Sequence, residues 1–402
     1  MSGLLQISFF IVVSSSNAYA QHLGGTSTFS GLVIGIPTAF SGLALLPLIK
    51  LDQGMGGYRI PLHFGCASSM MGHILYALAY RANWLYLILI GRIVSGFGFT
   101  FWMYSKRYCS DNRVVGIRRR TTLAGWMVVG QGIGFSFGPF VGGLLYKIGF
   151  SNSVFNGFTS PAWIMAAVWA AFWLFAGLNF KDPESQTEVA NIESVAAVPL
   201  HRMTAPQWGV LATMCWFSMT CFFILGAWES NIPVFTGSAS PLNPFDFSPF
   251  AAGNLIALGG ACTFPFLFAN IFLAKRHQDR NTLAIGSAVG AAGLFIALAV
   301  LRTRTVNYGS FFVCWFLIAL GFNLCSTVTM SLLSKQLPPQ WNTRTSMAIQ
   351  YSNYVGRVTG AVWGGAGVKV GMLNYVGMQI VIVGIGCVMF CTLWRNLKAK
   401  TG

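Results

Sequence analysis

Acid is scarce in this chain. It holds nine Asp and Glu among 402 residues, and all charged residues together make up 8% of it. Soluble domains carry about 25%. There is too little charge here to solvate the surface of a globule this long, which excludes a soluble enzyme. Disorder is excluded as well, because it needs low hydrophobicity and 54% of these residues are hydrophobic. Familiar motifs are missing too: there is no Asn-x-Ser/Thr sequon, no CxxC pair, no HExxH and no phosphate-binding loop. The nine cysteines fall mostly within apolar runs and read as buried thiols. His22, His63, His73, His201 and His277 are dispersed without metal-ligand spacing, so no metal and no other cofactor is expected. What remains is a polytopic membrane protein.

Helices and closed barrels are the two structures that satisfy their backbone hydrogen bonds in lipid. Barrel strands would alternate over roughly ten residues. This sequence instead shows long apolar runs, which read as helices. Twelve runs are present, at 4–20, 28–49, 60–80, 84–104, 122–146, 161–180, 208–228, 250–274, 282–301, 308–333, 344–370 and 373–394. At about 20 residues per span they use about 240, which leaves no room for a large soluble domain. The first run ends Ala18-Tyr19-Ala20 and imitates a signal-peptide cleavage site, but no basic segment precedes it. Signal peptides normally carry one, so the run is read as the first span.

The net charge of +16 comes from 25 Lys and Arg set mostly in short loops. With both termini placed in the cytoplasm, eighteen lie on the cytoplasmic side, five lie opposite, and Arg92 and Arg357 fall inside helices. That bias predicts cytoplasmic termini and reads as membrane topology, not nucleic-acid binding. The longest polar stretch, 181–206, holds Asp182, Glu184, Glu188 and Glu193. It is expected to be a cytoplasmic linker between six-helix halves at 1–180 and 207–402.

The halves echo each other. The fifth run reads Gly134-Phe-Ser-Phe-Gly138-Pro-Phe-Val-Gly142-Gly143, and the eleventh reads Gly356-Arg-Val-Thr-Gly360-Ala-Val-Trp-Gly364-Gly365. The glycines align at all four positions. Glycines four apart share a helix face and let backbones approach closely. They read as packing surfaces, and also as faces along which the fifth and eleventh helices slide during transport. Parallel six-helix halves with a site at their interface are one architecture of secondary transporters.

Charge inside a membrane is costly and normally faces the bundle interior or a water-filled cavity. Arg92 lies roughly 12 Å below the outer end of the fourth span, and Arg357 roughly 20 Å above the cytoplasmic end of the eleventh, at 1.5 Å per residue. Glu229, counted along the seventh span, falls towards its outer end, one residue past the run that ends at 228. Two cations against one anion suit an anionic substrate, which Arg can grip in a fork. The alternative is that Glu229 pairs with one Arg while the other bonds backbone carbonyls. Glu229 is also a candidate for proton coupling or charge balance. Lys106 and Arg107, closing the fourth span, either snorkel to the interface or form a cytoplasmic mouth that attracts anions.

These residues resemble the major facilitator superfamily. Arg92 within Leu89-Ile-Gly-Arg-Ile-Val-Ser-Gly96 is similar to its helix-four motif, and Gly138-Pro139 to its helix-five motif. Lys50-Leu-Asp52-Gln-Gly54-Met-Gly-Gly-Tyr-Arg59 stands where its gating motif belongs, with Asp52 and Arg59 kept and the spacing stretched. Leu75-Tyr-Ala-Leu-Ala-Tyr80, Arg107-Tyr-Cys-Ser-Asp111 and Ala162-Trp-Ile-Met-Ala-Ala-Val-Trp169 are similar to the transporter half of SPX-domain vacuolar phosphate transporters. The SPX domain itself is not among these residues, so its inositol-polyphosphate sensing is not implied.

The resemblance implies an all-α integral membrane protein with twelve transmembrane helices in two pseudo-symmetric six-helix bundles. It implies a cavity lined by the first, fourth, seventh and tenth helices, with Asn17, Tyr19, Arg92, Gln131, Glu229 and Arg357 placed to contribute. The expected partners are a small anionic substrate, phosphate first, a coupled proton or ion, and the lipid bilayer. One chain supplies a complete pathway, so a working monomer is expected. The vacuolar or lysosomal membrane is the expected location, with the plasma membrane close behind. An exporter of drugs or organic metabolites and a non-transporting receptor or scaffold are the alternatives.

Overall fold

The computed structural model describes residues 1–51, 57–110, 117–182, 203–273, 278–337 and 341–398. Helix dominates, and no strand occurs among the described residues. The helices are α1 (Ser2–Phe10), α2 (Val13–His22), α3 (Ser27–Leu51), α4 (Arg59–Ala82), α5 (Leu85–Gly98), α6 (Phe101–Ser110), α7 (Ile117–Ile148) and α8 (Ser160–Asn179). The second half supplies α9 (Ala205–Thr236), α10 (Pro249–Leu273), α11 (Asp279–Arg302), α12 (Tyr308–Gln336), α13 (Asn342–Val370) and α14 (Met372–Thr392). Pairs α1–α2 and α5–α6 are each joined by a two-residue helical turn, so fourteen helices make twelve rods, one for each apolar run.

Both interruptions have local causes. Ile11, Val12 and Val13 are β-branched and precede three serines, a run of weak helix formers. Between α5 and α6, Gly96 and Gly98 loosen the ladder, and the Thr100 hydroxyl donates to the Phe97 carbonyl at 2.7 Å, a local bond that competes with the regular one.

Packing repeats between the halves. In the first, α1 lies along α7, α4 on α5 and α4 on α8; in the second, α9 lies along α13, α11 on α12 and α11 on α14. Between the halves, α3 packs on α13 and α7 on α10. Each contact maps onto its counterpart when one half is exchanged for the other, which is the signature of a two-fold axis between two six-rod bundles.

The aligned glycines explain that packing. An added Cβ at Gly134 or Gly138 would run into α1, one at Gly142 into Ile11 at the α1–α2 turn, and one at Gly356, Gly360 or Gly364 into α9. The fourth glycine of each set faces the other half: Gly143 meets the α10 backbone at Pro249 and Phe250, and Gly365 meets α3 at Ser27 and Gly31. So three positions fasten the fifth or eleventh rod to its own half, and only the fourth faces a surface along which the halves can move.

Among the described residues, nine helical stretches are long and apolar enough to cross a membrane. The rods outside that set are α4, α7 and α13. They carry the glycine stripes, the basic entry 118–120 and buried polar residues such as His73 and Arg357. The buried polar residues of these rods face protein, while Met71 of α4, Ile133 and Phe137 of α7 and Val355 of α13 are exposed. The apolar exterior continues on α8, where Leu174, Phe175 and Leu178 are exposed, and on α14, where Val381 and Val388 are. An apolar exterior of this kind belongs against lipid. The protein is a multi-pass membrane protein.

Candidate functional site

A cavity of about 240 Å³ lies between the halves. Its walls come from α1, α3, the α5–α6 junction, α7, α9, α12 and α13. Both interrupted rods meet it at their breaks, through Phe9 and Phe10 on one and Phe99 and Trp102 on the other. Phe9 and Phe99 pack edge to face at 5.6 Å. Interrupted spans at mid-membrane are where transporter folds place substrate sites.

Two charged side chains line the cavity among the described residues, Arg357 and Glu229. Arg357 Nη2 donates to Glu229 Oε2 in a direct ion pair. Both are buried, Glu229 at 1% and Arg357 at 7% exposure. Arg357 also stands over the rings of Phe9 and Phe10, at 5.0 and 5.3 Å. The pair corrects the depth expected for Glu229. Its helix runs on to Thr236, beyond the apolar run that ends at 228, so Glu229 lies level with the middle of α13.

Arg92 is buried but is not among the lining residues. Its Nε donates to the Val33 carbonyl at 3.2 Å and its Nη2 to the Phe9 carbonyl at 3.4 Å. Phe9 lies at the α1–α2 break, where interrupting the ladder frees carbonyls. Arg92 thereby ties α5 to α1 and α3. Its guanidinium lies 5.3 Å from the Phe9 ring, so one ring is shared by both buried guanidiniums. Among the described residues its Nη1 finds no acceptor. The geometry is that of the pairing alternative: Glu229 holds one Arg and backbone carbonyls hold the other.

Gln131 lines the cavity. Tyr19 does not: it is buried within the first half, donating to the Tyr76 carbonyl at 3.1 Å and stacked on Phe158. Asn17 also lies outside the lining. Asp52 falls outside the described residues, as do the side chains of Lys106 and Arg107. Arg59 is exposed at the start of α4, where its backbone N–H and that of Tyr58 donate to the Asp182 carboxylate at 3.0 and 2.7 Å. An acid at a helix N-terminus is favourable. The second half has a comparable clamp, Lys335 of α12 on Asp279 at the start of α11, at 2.7 Å.

Charge and motif reading missed the amides. Gln6, Asn323, Gln350 and Asn353 join Gln131 in the lining. One of them was within reach: Gln131 stands three residues before the first glycine of its stripe, and Asn353 stands three before the first glycine of the other. The same alignment pairs Phe135 with Arg357, and both line the cavity. Gly134-Phe-Ser-Phe-Gly138 also matches the string G-x-S-x-G. It lies inside α7, without the strand-to-helix turn that exposes a nucleophilic serine.

The family model for the Major Facilitator Superfamily matches residues 1–397. Among curated proteins, an uncharacterised protein of Schizosaccharomyces pombe is 32% identical, over 99% of this chain and 81% of its own length. An uncharacterised MFS-type transporter of the same yeast is 30% identical over the same shares. An SPX domain-containing membrane protein of Arabidopsis thaliana is 31% identical over 46% of this chain and 26% of its own length. Among solved structures, a D-xylose–proton symporter superposes with a TM-score of 0.74 at 14% identity, covering 100% of this chain and 97% of that one. A bacterial homologue of the human lysosomal transporter Spinster, inward-facing and unoccupied, gives 0.73 at 13% identity over 98% and 95%. With the twelve rods, the exchange symmetry of their packing and a family match along almost the whole chain, this protein belongs to the Major Facilitator Superfamily.

Proposed function

We propose that the chain is a secondary active transporter that moves a small solute bearing an anionic group, inorganic phosphate being the first to test. The halves, 1–180 and 207–402 joined through 181–206, rock about the cavity and expose it to each side in turn. The observation that carries this reading is Arg357, a buried guanidinium on the wall of an interfacial cavity, held by one carboxylate that an incoming anion can replace. Replacement has a consequence. A buried carboxylate stripped of its partner costs several kcal/mol, so Glu229 takes a proton, or another cation, when the anion takes Arg357. Solute and proton then bind in support of each other, which is the linkage a symporter needs. The cavity is smaller than the roughly 300–1,000 Å³ of drug-sized sites, which speaks against export of bulky compounds. The Lys and Arg asymmetry supports cytoplasmic termini, and the likeness to SPX-domain membrane proteins favours a vacuolar or lysosomal membrane.

Radiolabelled phosphate uptake into proteoliposomes, with and without an imposed pH gradient, tests this reading. Uptake is expected to respond to the gradient and to fall to background in Arg357→Ala. Undiminished uptake by a folded Arg357→Ala variant removes the grip, and binding without flux favours a receptor.

A further inference from the structure

The charges on the cavity wall cancel. Arg357 and Glu229 are the only charged side chains on its described wall and they touch, while Arg92 stands behind Phe9 outside the lining. An oxyanion that takes Arg357 strands Glu229 and must bring a proton or cation with it. A solute with a positive and a negative group side by side needs no such companion. Its anionic group takes Arg357, its cationic group takes Glu229, and every buried charge keeps an opposite partner.

Size points the same way. A cavity of about 240 Å³ is many times the roughly 10–15 Å³ that a single water needs on the same measure. It is also several times what a five-atom oxyanion fills. The remaining wall is mixed. Gln131, Gln350 and Asn353 supply carboxamides, each a donor and an acceptor, and Phe135 and Phe222 supply apolar rings.

Resting on the reading of Arg357 as the anion grip, we infer that the solute is a zwitterion of amino-acid size. Because Arg357 and Glu229 are in direct contact, its opposite charges must lie close together, as the carboxylate and ammonium of an α-amino acid do across one carbon. A solute with widely spaced charges would have to pull the two side chains apart. Exchange of the internal pair for two pairs with the solute leaves the net charge of the site unchanged.

Thermal unfolding of the purified full-length protein in detergent tests this. It is followed with each of the twenty common L-amino acids, with inorganic phosphate and, for any amino acid that stabilises, with its 2-hydroxy counterpart. At least one amino acid is expected to raise the unfolding temperature, as a ligand specific to the folded state does. Its hydroxy acid should bind on the order of a hundredfold more weakly, the usual scale for losing one partner of a buried charge pair. Glu229→Gln should shrink that gap to about tenfold or less, because the variant no longer offers a charge to the ammonium. If Glu229→Gln does not fold, the wild-type series decides alone, since it compares two solutes on one protein. Equal binding of amino and hydroxy acids overturns the inference. Stabilisation by phosphate and by no amino acid also overturns it and leaves the anion grip standing. Binding of neither class by folded protein removes both.

Discussion

Removing one member of the Arg357–Glu229 pair leaves the other as an unpaired charge among buried rings. Breaking a buried pair from one side costs about 3–5 kcal/mol, whereas replacing both members with apolar residues of similar volume is often neutral. Glu229→Leu and Arg357→Met are therefore each expected to lower stability by about that amount, and the double variant to be more stable than either single one. Unfolding of the four proteins in detergent measures this cycle, and losses that simply add would mean that the two side chains do not interact. Arg92 follows a different rule, because its partners are the Phe9 carbonyl at a helix break and the Val33 carbonyl within α3, and no acid balances it among the described residues. The scarcity of charge in the sequence made all three residues conspicuous. Which of them touch was not legible, because depth counted from the ends of an apolar run goes wrong once a helix continues beyond it, as α9 does at Glu229. The amides were not legible from residue type, since uncharged polar residues occur throughout such rods, although the repeat pointed from Gln131 to Asn353.

Among the elements, the two glycine stripes are the parts that sequence and structure describe alike. A methyl at Gly360 would meet the Phe223 carbonyl of α9, while one at Gly384 in α14 has open space around it. Gly360→Ala is expected to destabilise by about 1–3 kcal/mol through overpacking. Gly384→Ala should stabilise by about 0.5–1 kcal/mol, the ordinary gain for alanine in a helix interior. Thermal unfolding of the two variants checks the contrast, and equal effects would contradict the packing described. Twelve rods and their order were legible because each shows in the sequence as an apolar run of about 20 residues set between polar loops. The breaks in the first and fourth rods were not. Each depends on a few residues of weak helix preference, and apolar character runs straight across them. The sliding role expected for the whole stripe is confined by the structure to its fourth glycine, since the other three lock a rod to its own half.

At the scale of the whole molecule the two halves meet unequally. Near Gly143 and Gly253, and near Gly31 and Gly365, backbone lies against backbone. Towards the end where α3 and α10 finish, rings take over: Phe264 covers Gly132, and Tyr351 and Tyr354 cover Gly42, with the Tyr351 hydroxyl donating to the Gly42 carbonyl at 3.1 Å. The cavity lies at the ring-propped part, bounded by Phe135 and Tyr354. Rocking would open the backbone-sealed end and close the propped one, so fixing the sealed end should stop transport. Lys147 of α7 stands over the Phe250 ring of α10 at that end, 4.7 Å away, and offers a place to fix it. The most direct test is solute counterflow in proteoliposomes carrying Lys147→Cys with Phe250→Cys, before and after a short bismaleimide cross-link, with the wild type as the blank for its own cysteines. The cross-linked protein should still bind solute but lose counterflow. Full counterflow through protein shown to be cross-linked would mean that the solute does not pass between the two halves.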